Sequence, residues 1–199
     1  MGKCDYKLAA SIELSCEAPI KKGVKNTGVI INFDDVDWDK LEYDETNPNI
    51  VNTLVLKTGA KAYSVYIPGN TPFTGTNKAL VVGTYRNKFT KQVHVIILDN
   101  GAEVSRKVID QLANGRFVVI LENNYHGATH DNAFEIYGLE TGLSASEMSD
   151  DKYSEDTDGG WAVTLEETDA PTSGLYFLDT DVETTRAALD SLLGTTAGE

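Results

Sequence analysis

Three potential metal ligands, Glu122, His126 and His130, recur at four-residue intervals along the chain. On a helix this spacing would place all three side chains on one face, where they could hold a zinc ion. A helix is not expected over these residues, because Glu122 ends a strand-like run and the residues after it are rich in Asn and Gly. We therefore predict histidines in a solvent-exposed loop and no metal site.

A second stretch with oxygen ligands, SEDTDGG at residues 154–160, imitates the first half of a calcium-binding loop. The position that should supply a bidentate Glu is occupied by Leu165, and Glu166 comes one place too late. Because the match fails at the most demanding ligand, Asp156 and Asp158 are expected to lie in a polar turn without a cation.

The sequence NFDDVDWDK places Asp35, Asp37 and Asp39 at alternate positions, which in a strand would point three carboxylates to one face. Seven acidic residues fall within residues 34–45, against one basic residue, Lys40. Repulsion would make such a face costly to bury, so it must meet water, cations or a basic partner. An ordinary solvated edge and a functional acidic surface both fit this pattern.

The motifs that announce catalysis are absent from the sequence. None of GxSxG, GxxxxGK[ST], GxGxxG or HExxH occurs. His94 lies within an apolar run and is expected to be packed and hydrogen-bonded, which leaves a Ser/His/Asp set assembled by folding as the remaining catalytic alternative. We predict a protein that is not an enzyme and needs no cofactor. Cys4 and Cys16 lack metal-type spacing and are expected to be reduced thiols in a cytosolic setting.

The formal net charge of −14 argues against tight general binding to nucleic acid, which depends on Lys and Arg. The charge is unevenly spread, because residues 57–116 carry a net charge of +6 and the rest of the chain carries −20. The chain is either a well-solvated acidic protein or one whose copies attract each other through unlike patches. No apolar run approaches the roughly 20 residues of a membrane helix, so no membrane anchor is expected.

Hydrophobic periodicity predicts a mainly β domain with a few helices. Residues 51–58 and 60–68 suggest a hairpin, and residues 93–99 and 117–122 suggest buried strands on either side of an amphipathic helix over residues 102–114. Three further strand candidates follow, and the closing helix begins with Thr180 and Glu183 at capping-box spacing.

These elements predict one α+β domain over residues 1–199, mainly β, folded as a sandwich or barrel with flanking helices. Residues 68–92 fit this plan poorly, because they are rich in Thr, Asn and Gly around a central ALVVGTY. A long irregular loop is improbable in a small domain. The segment is therefore either a hairpin lying on its own domain or an extended arm that orders against a neighbouring copy.

Four stretches together resemble virion structural proteins of tailed bacteriophages, most closely the tail tube (major tail) proteins of phages of gut bacteria. They are GTYRNKFTKQVHVIILDNG, NGRFVVILENNY, NAFEIYGLETGL and DKYSEDTDGGWAVTLEETDAPTSGLYFLDTDVETTRAALDSLL, about two thirds of the chain from Gly83 onward. The resemblance implies a β-sandwich that assembles as hexameric rings stacked into a hollow tube for DNA.

The resemblance also implies roles for individual residues. Residues 68–92 would be the long hairpin arm that reaches an adjacent ring, with subunit contacts at Phe73, Tyr85, Arg86, Lys88 and Phe89. Carboxylates facing the lumen would repel the phosphates of passing DNA, so that it slides without binding tightly. The candidates for that lining are Asp35, Asp37, Asp39, Asp156 and Asp158.

The resemblance implies a place in the virion tail, assembled in the cytoplasm of the bacterial host, with copies of the chain and other tail proteins as partners. Two other classes stay open. A capsid decoration or head–tail connector protein would share the composition but attach to another protein's lattice. A β-sandwich carbohydrate-binding module is suggested by Trp38, Trp161 and nine tyrosines.

Overall fold

The computed structural model describes residues 7–12 and 20–194, and the predictions for Cys4 and Cys16 lie outside these residues. In chain order the strands are β1 (Val24–Asn32), β2 (Glu42–Tyr43), β3 (Ile50–Thr53), β4 (Tyr63–Tyr66), β5 (Phe73–Val81), β6 (Lys88–Ile97), β7 (Phe117–Asn123), β8 (Phe134–Tyr137), β9 (Ser144–Asp150), β10 (Trp161–Ala170) and β11 (Leu175–Phe177). The mainly β, α+β prediction is confirmed.

Within the described residues the strands form two sheets rather than a closed barrel. The larger sheet has the order β2-β3-β11-β8-β7-β1-β4, and the smaller has the order β5-β6-β10-β9. A cluster of buried side chains joins the two sheets: Val93 and Leu165 come from the smaller sheet, and Val119 and Tyr137 come from the larger one. The sheets therefore pack face to face as a sandwich.

The second face of the larger sheet is covered by a helix and by loops. Helix α3 (Val182–Leu192) places Leu189 in a core cluster with Ile31, Val118 and Ile120 of the sheet. In β7, alternate residues face the two clusters, so the strand is buried on both sides. This double burial explains why residues 117–121, FVVIL, are continuously apolar instead of alternating.

The strand–helix–strand prediction for residues 93–122 is confirmed. Between β6 and β7 the chain forms α1 (Ala102–Val104), a π-helical turn (Ser105–Ile109) and α2 (Asp110–Asn114). Of the apolar stripe expected at helical spacing, Ile109 and Leu112 are buried, whereas Val108 is 37% exposed. The two flanking strands belong to different sheets, so this unit is not a parallel βαβ crossover.

The hairpin predicted over residues 51–68 is wrong. Strand β3 pairs with β2 and β11, whereas β4 pairs with β1 at the opposite end of the larger sheet. The connection between β3 and β4 carries Leu54 and Ala62, which are buried in the core cluster beneath α3. Burial of these side chains draws the connection across the sheet and separates the two strands.

The closing helix is confirmed, but its cap lies one residue later than predicted. The Asp181 side chain accepts a hydrogen bond of 2.8 Å from the backbone N–H of Thr184, and the Thr184 hydroxyl accepts one of 2.9 Å from the N–H of Asp181. The pair makes a reciprocal capping box in the place expected for Thr180 and Glu183. Gly194, with φ of +73°, follows the end of the helix.

Candidate assembly surfaces

The segment predicted as an arm is a hairpin built into the smaller sheet. Strand β5 pairs with β6 from Phe73↔Val95 to Val81↔Lys88, and β6 pairs on its other side with β10 as far as Phe89↔Ala170. Residues 82–87 extend beyond this paired region, and we call them the tip. The hairpin therefore lies on its own domain over most of its length and presents the tip to solvent.

The five predicted contact residues have different environments. Tyr85 and Arg86 are exposed at the tip, and the Lys88 ammonium group lies 3.0 Å from the Asp169 carboxylate. Phe89 is half-buried in the sheet. Phe73 is only 4% exposed, because it packs in the core between the sheets, so it offers no contact surface to a partner.

A buried lysine holds the hairpin against the other sheet. The Lys91 side chain is 1% exposed, and its ammonium group lies 2.7 Å from Glu140 and 3.3 Å from Glu167. The Glu167 carboxylate, 0% exposed, also accepts hydrogen bonds from the backbone N–H groups of Gly138, Glu140 and Thr141 at 2.9–3.1 Å. The network satisfies the buried charges and fixes the turn between β8 and β9.

A second lysine of the hairpin, Lys78, contacts β8 and β11. Its ammonium group pairs with Glu135 and lies over the rings of Tyr137 and Tyr176, at 5.4 and 5.6 Å from the ring centroids. The Tyr137 hydroxyl donates a 2.6 Å hydrogen bond to Glu135. Burial, and then the charge of Glu135, raises the pKa of both tyrosines above the usual value.

The outer face of the smaller sheet carries small and polar side chains. Directly paired residues point to the same side of a sheet, so the register defines rungs across this face. One rung runs from Asn77 through Gln92 and Glu166 to Ser144, and another includes Gly75, His94, Thr164 and Glu147. The His94 Nδ1 lies 3.0 Å from the Thr164 hydroxyl, which confirms the predicted hydrogen bond.

Both edges of the smaller sheet are open within the described part of the chain. Strand β5 pairs there with β6 only, and β9 pairs with β10 only. These edges are nine and seven residues long, respectively. Long open edges present rows of backbone donors and acceptors to which another strand can pair.

The acidic residues 34–45 do not form the strand that would align Asp35, Asp37 and Asp39. Instead, the chain makes two 3₁₀ turns, Phe33–Asp35 and Trp38–Lys40, in the connection between β1 and β2. Asp35 accepts a 2.7 Å hydrogen bond from the Asn32 side chain. The Lys40 ammonium group, 2.6 Å from Asp37, lowers the pKa of that carboxyl through its hydrogen bond. Side-chain bonds close the turns locally and break the alternation.

Asp156 and Asp158 are exposed in the connection between β9 and β10. Backbone hydrogen bonds from Gly159 to Ser154 and from Gly160 to Thr157 close this segment as a turn. Asp158 adopts a φ of +50° within it. The polar-turn prediction is therefore confirmed for the backbone.

The residues of the Glu122, His126 and His130 triplet do not share a helix. Glu122 lies in β7, and its carboxylate forms a hydrogen-bonded ion pair of 2.6 Å with Arg186 of α3. This hydrogen bond is the main cause of a raised pKa for Arg186. The prediction of solvent-exposed loop histidines is confirmed for His130 and wrong for His126, which is half-buried with its Nε2 3.2 Å from the Glu122 carboxylate. Across residues 7–12 and 20–194, no group of three or more His, Cys, Asp or Glu side chains is placed to hold a metal ion.

The two tryptophans do not form one aromatic platform. Trp161 packs against the core between the sheets. The Trp38 ring contacts that of Phe33 in a tilted arrangement, with 4.8 Å between the ring centroids, and the Arg116 guanidinium group lies 4.6 Å from the Phe33 centroid. The two tryptophans therefore offer no joint aromatic face to a sugar.

Sequence reasoning missed the polar rungs and both sheet edges. The sequence signal for the polar outer face was the alternation of Gln92, His94 and Ile96 with the buried Val93 and Val95. The apolar run in β6 suggested instead that the strand is buried on both faces. Glu166 alternates in the same way with buried Leu165 and Glu167 in β10.

Comparison of the chain with protein families, with curated proteins and with solved structures finds no match. Among the described residues, the helices are too short or too polar to cross a membrane.

Proposed function

We propose that this chain is a structural subunit that assembles with copies of itself into stacked rings, and that the stacked rings form the tube of a phage tail through which DNA passes. The observation that carries the proposal is the smaller sheet, which combines two long open edges with a small, polar outer face. The resemblance of four sequence stretches to tail tube proteins supports the same conclusion. Such a subunit acts by assembly and catalyses no reaction.

The strand order favours head-to-tail association. Each strand in the order β5-β6-β10-β9 is antiparallel to its neighbour, so the edge strands β5 and β9 run in opposite directions. When β9 of one copy lies beside β5 of the next in the same orientation, the new pair is again antiparallel. Because the two edges differ, this heterologous contact generates a closed ring or an open filament.

The outer face then becomes the wall of the channel. Its carboxylates are supplied by Glu147 and Glu166, among hydroxyl and amide side chains. Like charges disfavour the binding of phosphates, so DNA would move along this wall without sticking. We therefore propose Glu147 and Glu166 as the channel carboxylates, in place of Asp35, Asp37 and Asp39, which follow a strand of the larger sheet.

Cysteine cross-linking tests the edge contact without changing the fold. In a chain whose native cysteines are serines, Asn77→Cys on β5 is combined with Ser144→Cys, Ser146→Cys or Ser149→Cys on β9, which scans the unknown register. Oxidation should give a ladder of covalent oligomers that ends at the ring size, and electron microscopy should show rings or tubes. The control pair is Asn77→Cys with Glu45→Cys, a residue of the connection between β2 and β3. Equal cross-linking of control and test pairs would disprove edge assembly.

Reversing the charge of the outer face tests the channel. Tubes of Glu147→Lys/Glu166→Lys should retain double-stranded DNA at about 50 mM salt and release it near 200 mM, whereas wild-type tubes retain none. Glu42→Lys/Glu45→Lys makes the same charge change at the edge of the larger sheet, in and just after β2. If both double variants retain equal amounts of DNA, Glu147 and Glu166 do not line the channel. A capsid decoration protein would form no tubes and would attach to another lattice.

A further inference from the structure

The tip of the hairpin carries an apolar patch that has no partner within the described chain. Val82 is 79% exposed, Tyr85 is fully exposed, and Leu80 beside them is also exposed. Isolated exposed apolar residues are common, but a cluster on a projecting turn indicates an interaction site. Arg86 adds a positive charge to this patch.

An apolar cleft of about 800 Å³ lies between the two sheets, beside the edge strand β4 and the helical residues 102–114. Its floor includes Phe73, Val95 and Phe117. The exposed lining residues at its mouth include Tyr63, Tyr66, Leu98, Asp99, Lys107 and Val108. The cleft has the size and apolar lining of a site that receives large side chains.

The tip and the cleft lie at opposite ends of the same hairpin. Phe73 at the start of β5 and Ile97 at the end of β6 line the cleft, whereas Val81 and Lys88 border the tip. The eight residue steps from Phe73 to Val81 correspond to about 27 Å at 3.4 Å per residue. Placing a second copy end to end along the hairpin therefore brings the tip of one copy to the cleft of the other.

We propose that the tip of one copy inserts Val82 and Tyr85 into the cleft of a second copy. Burial of these side chains supplies the contact energy, and Arg86 of the tip faces Asp99 at the mouth. Lys107 at the same mouth is paired with Glu103, which also bonds Arg106, so it opposes Arg86 less than an unpaired lysine would. The contact is heterologous, so it repeats along an axis.

This contact deepens the proposed function, because it names the surface that receives the tip when rings stack. It is separate from the edge contact of β5 with β9. Loss of the tip contact should leave rings that do not stack, whereas loss of the edge contact should leave no rings. Failure of either proposal can therefore be recognised without the other.

Cross-linking between two differently marked chains tests the pairing directly. In the background without native cysteines, one chain carries Val82→Cys and a larger tagged chain carries Val108→Cys at the mouth. Oxidation of the mixture should give the mixed dimer at least about tenfold faster than a mixture of Val82→Cys with Glu45→Cys, which is exposed in the connection between β2 and β3. Equal rates for the two mixtures would overturn the proposal.

Complementation gives a second test that does not depend on cysteine chemistry. Tyr85→Asp should disable the tip, and Val108→Asp should disable the cleft; circular dichroism and thermal unfolding establish that each variant is folded. Each variant alone should need at least about a tenfold higher concentration to form stacks, as expected for loss of a central apolar anchor. When rings of the two variants are mixed, the intact tips of the Val108→Asp rings can enter the intact clefts of the Tyr85→Asp rings. The mixture should therefore form pairs of stacked rings but no longer stacks, and so no tubes. Normal tubes from either variant alone would contradict the proposal.

Discussion

Replacing Lys91 with methionine should destabilise the fold far more than the same change at Lys88, three residues away on β6. The Lys91 ammonium group is 1% exposed and contacts the fully buried carboxylate of Glu167. Removing one partner of a buried ion pair leaves an uncompensated charge, at a typical cost of about 3–5 kcal/mol. For a chain of this size the melting temperature should fall by roughly 6–20 °C.

Lys88→Met is the matched control, because it removes the same charge and the same length of side chain. The Lys88 and Asp169 side chains are 46% and 66% exposed, and exposed ion pairs contribute at most about 1 kcal/mol. Guanidinium unfolding followed by tryptophan fluorescence gives both free-energy differences, at protein concentrations where light scattering shows single chains.

The double variant Lys91→Met/Glu167→Gln separates the buried charge from lost packing. It removes Lys91 together with its fully buried partner, and it should recover at least about 1 kcal/mol relative to Lys91→Met, because the carboxylate left without Lys91 is then only that of Glu140, which is 11% exposed. If Lys91→Met and Lys88→Met have costs within about 0.5 kcal/mol of each other, Lys91 does not compensate a buried charge and the reasoning is refuted.

Three further predictions concern the turn after β8, the buried tyrosine and the cap of α3. Gly138→Ala should lower the free energy of unfolding by about 2–4 kcal/mol, because the residue has φ of +83° and a Cβ would lie 2.4 Å from a backbone oxygen. The control Gly59→Ala, at φ of +85° with open space around it, should lower it by only about 1–2 kcal/mol. Equal losses in denaturant unfolding would exclude the steric effect. In a spectrophotometric titration, Tyr137→Phe should not reduce the tyrosine signal that appears near pH 10, because the pKa of Tyr137 is raised, and a smaller signal in the variant would contradict this. The stabilising effect of the neutral Tyr137 side chain is present below pH 10 and is lost as the pH rises through its folded-state pKa. Asp181→Ala should lower the melting temperature at neutral pH, and the difference from wild type should shrink as the pH falls below about 3.8, through the lowered pKa of this carboxyl. A difference in melting temperature that does not depend on pH would show that the charged cap is not the cause.

The elements that could be predicted from sequence are those whose patterns are set by local periodicity. Strand β7 and helix α3 are examples, because β7 is buried on both faces and α3 has one apolar stripe with a capping motif. Strand β1 could not be predicted in this way. Its first half is polar, and Gly28 is required within it because a Cβ there would lie 2.6 Å from the Phe73 ring. That constraint comes from the other sheet.

The candidate surfaces were predicted less well than the fold. The basic half of residues 68–92 reads as a surface segment, yet Lys91 is buried by partners 49 and 76 positions later in the chain. Asp35, Asp37 and Asp39 have the spacing of one strand face, yet local hydrogen bonds turn the chain there. Buried ion pairs and short turns depend on contacts that periodicity does not contain, so the pattern alone gives the wrong exposure.

The position of Lys78 and Lys91 determines which parts of the hairpin remain free to interact. Lys91 lies on the inner face of β6, and Lys78 of β5 is paired with it across the hairpin. Lys78 bonds to the carboxylate of Glu135 in β8, and Lys91 bonds to that of Glu140 in the turn after β8. The hairpin is therefore fixed to the larger sheet through its inner face, while the outer face, the edge of β5 and the tip stay accessible. A tip held in this way loses little conformational entropy when it binds, so the energy from burying Val82 and Tyr85 goes largely into the contact. Two ion pairs, one fully buried and one partly buried, which add little net stability by themselves, thus serve to present an assembly surface in a defined orientation.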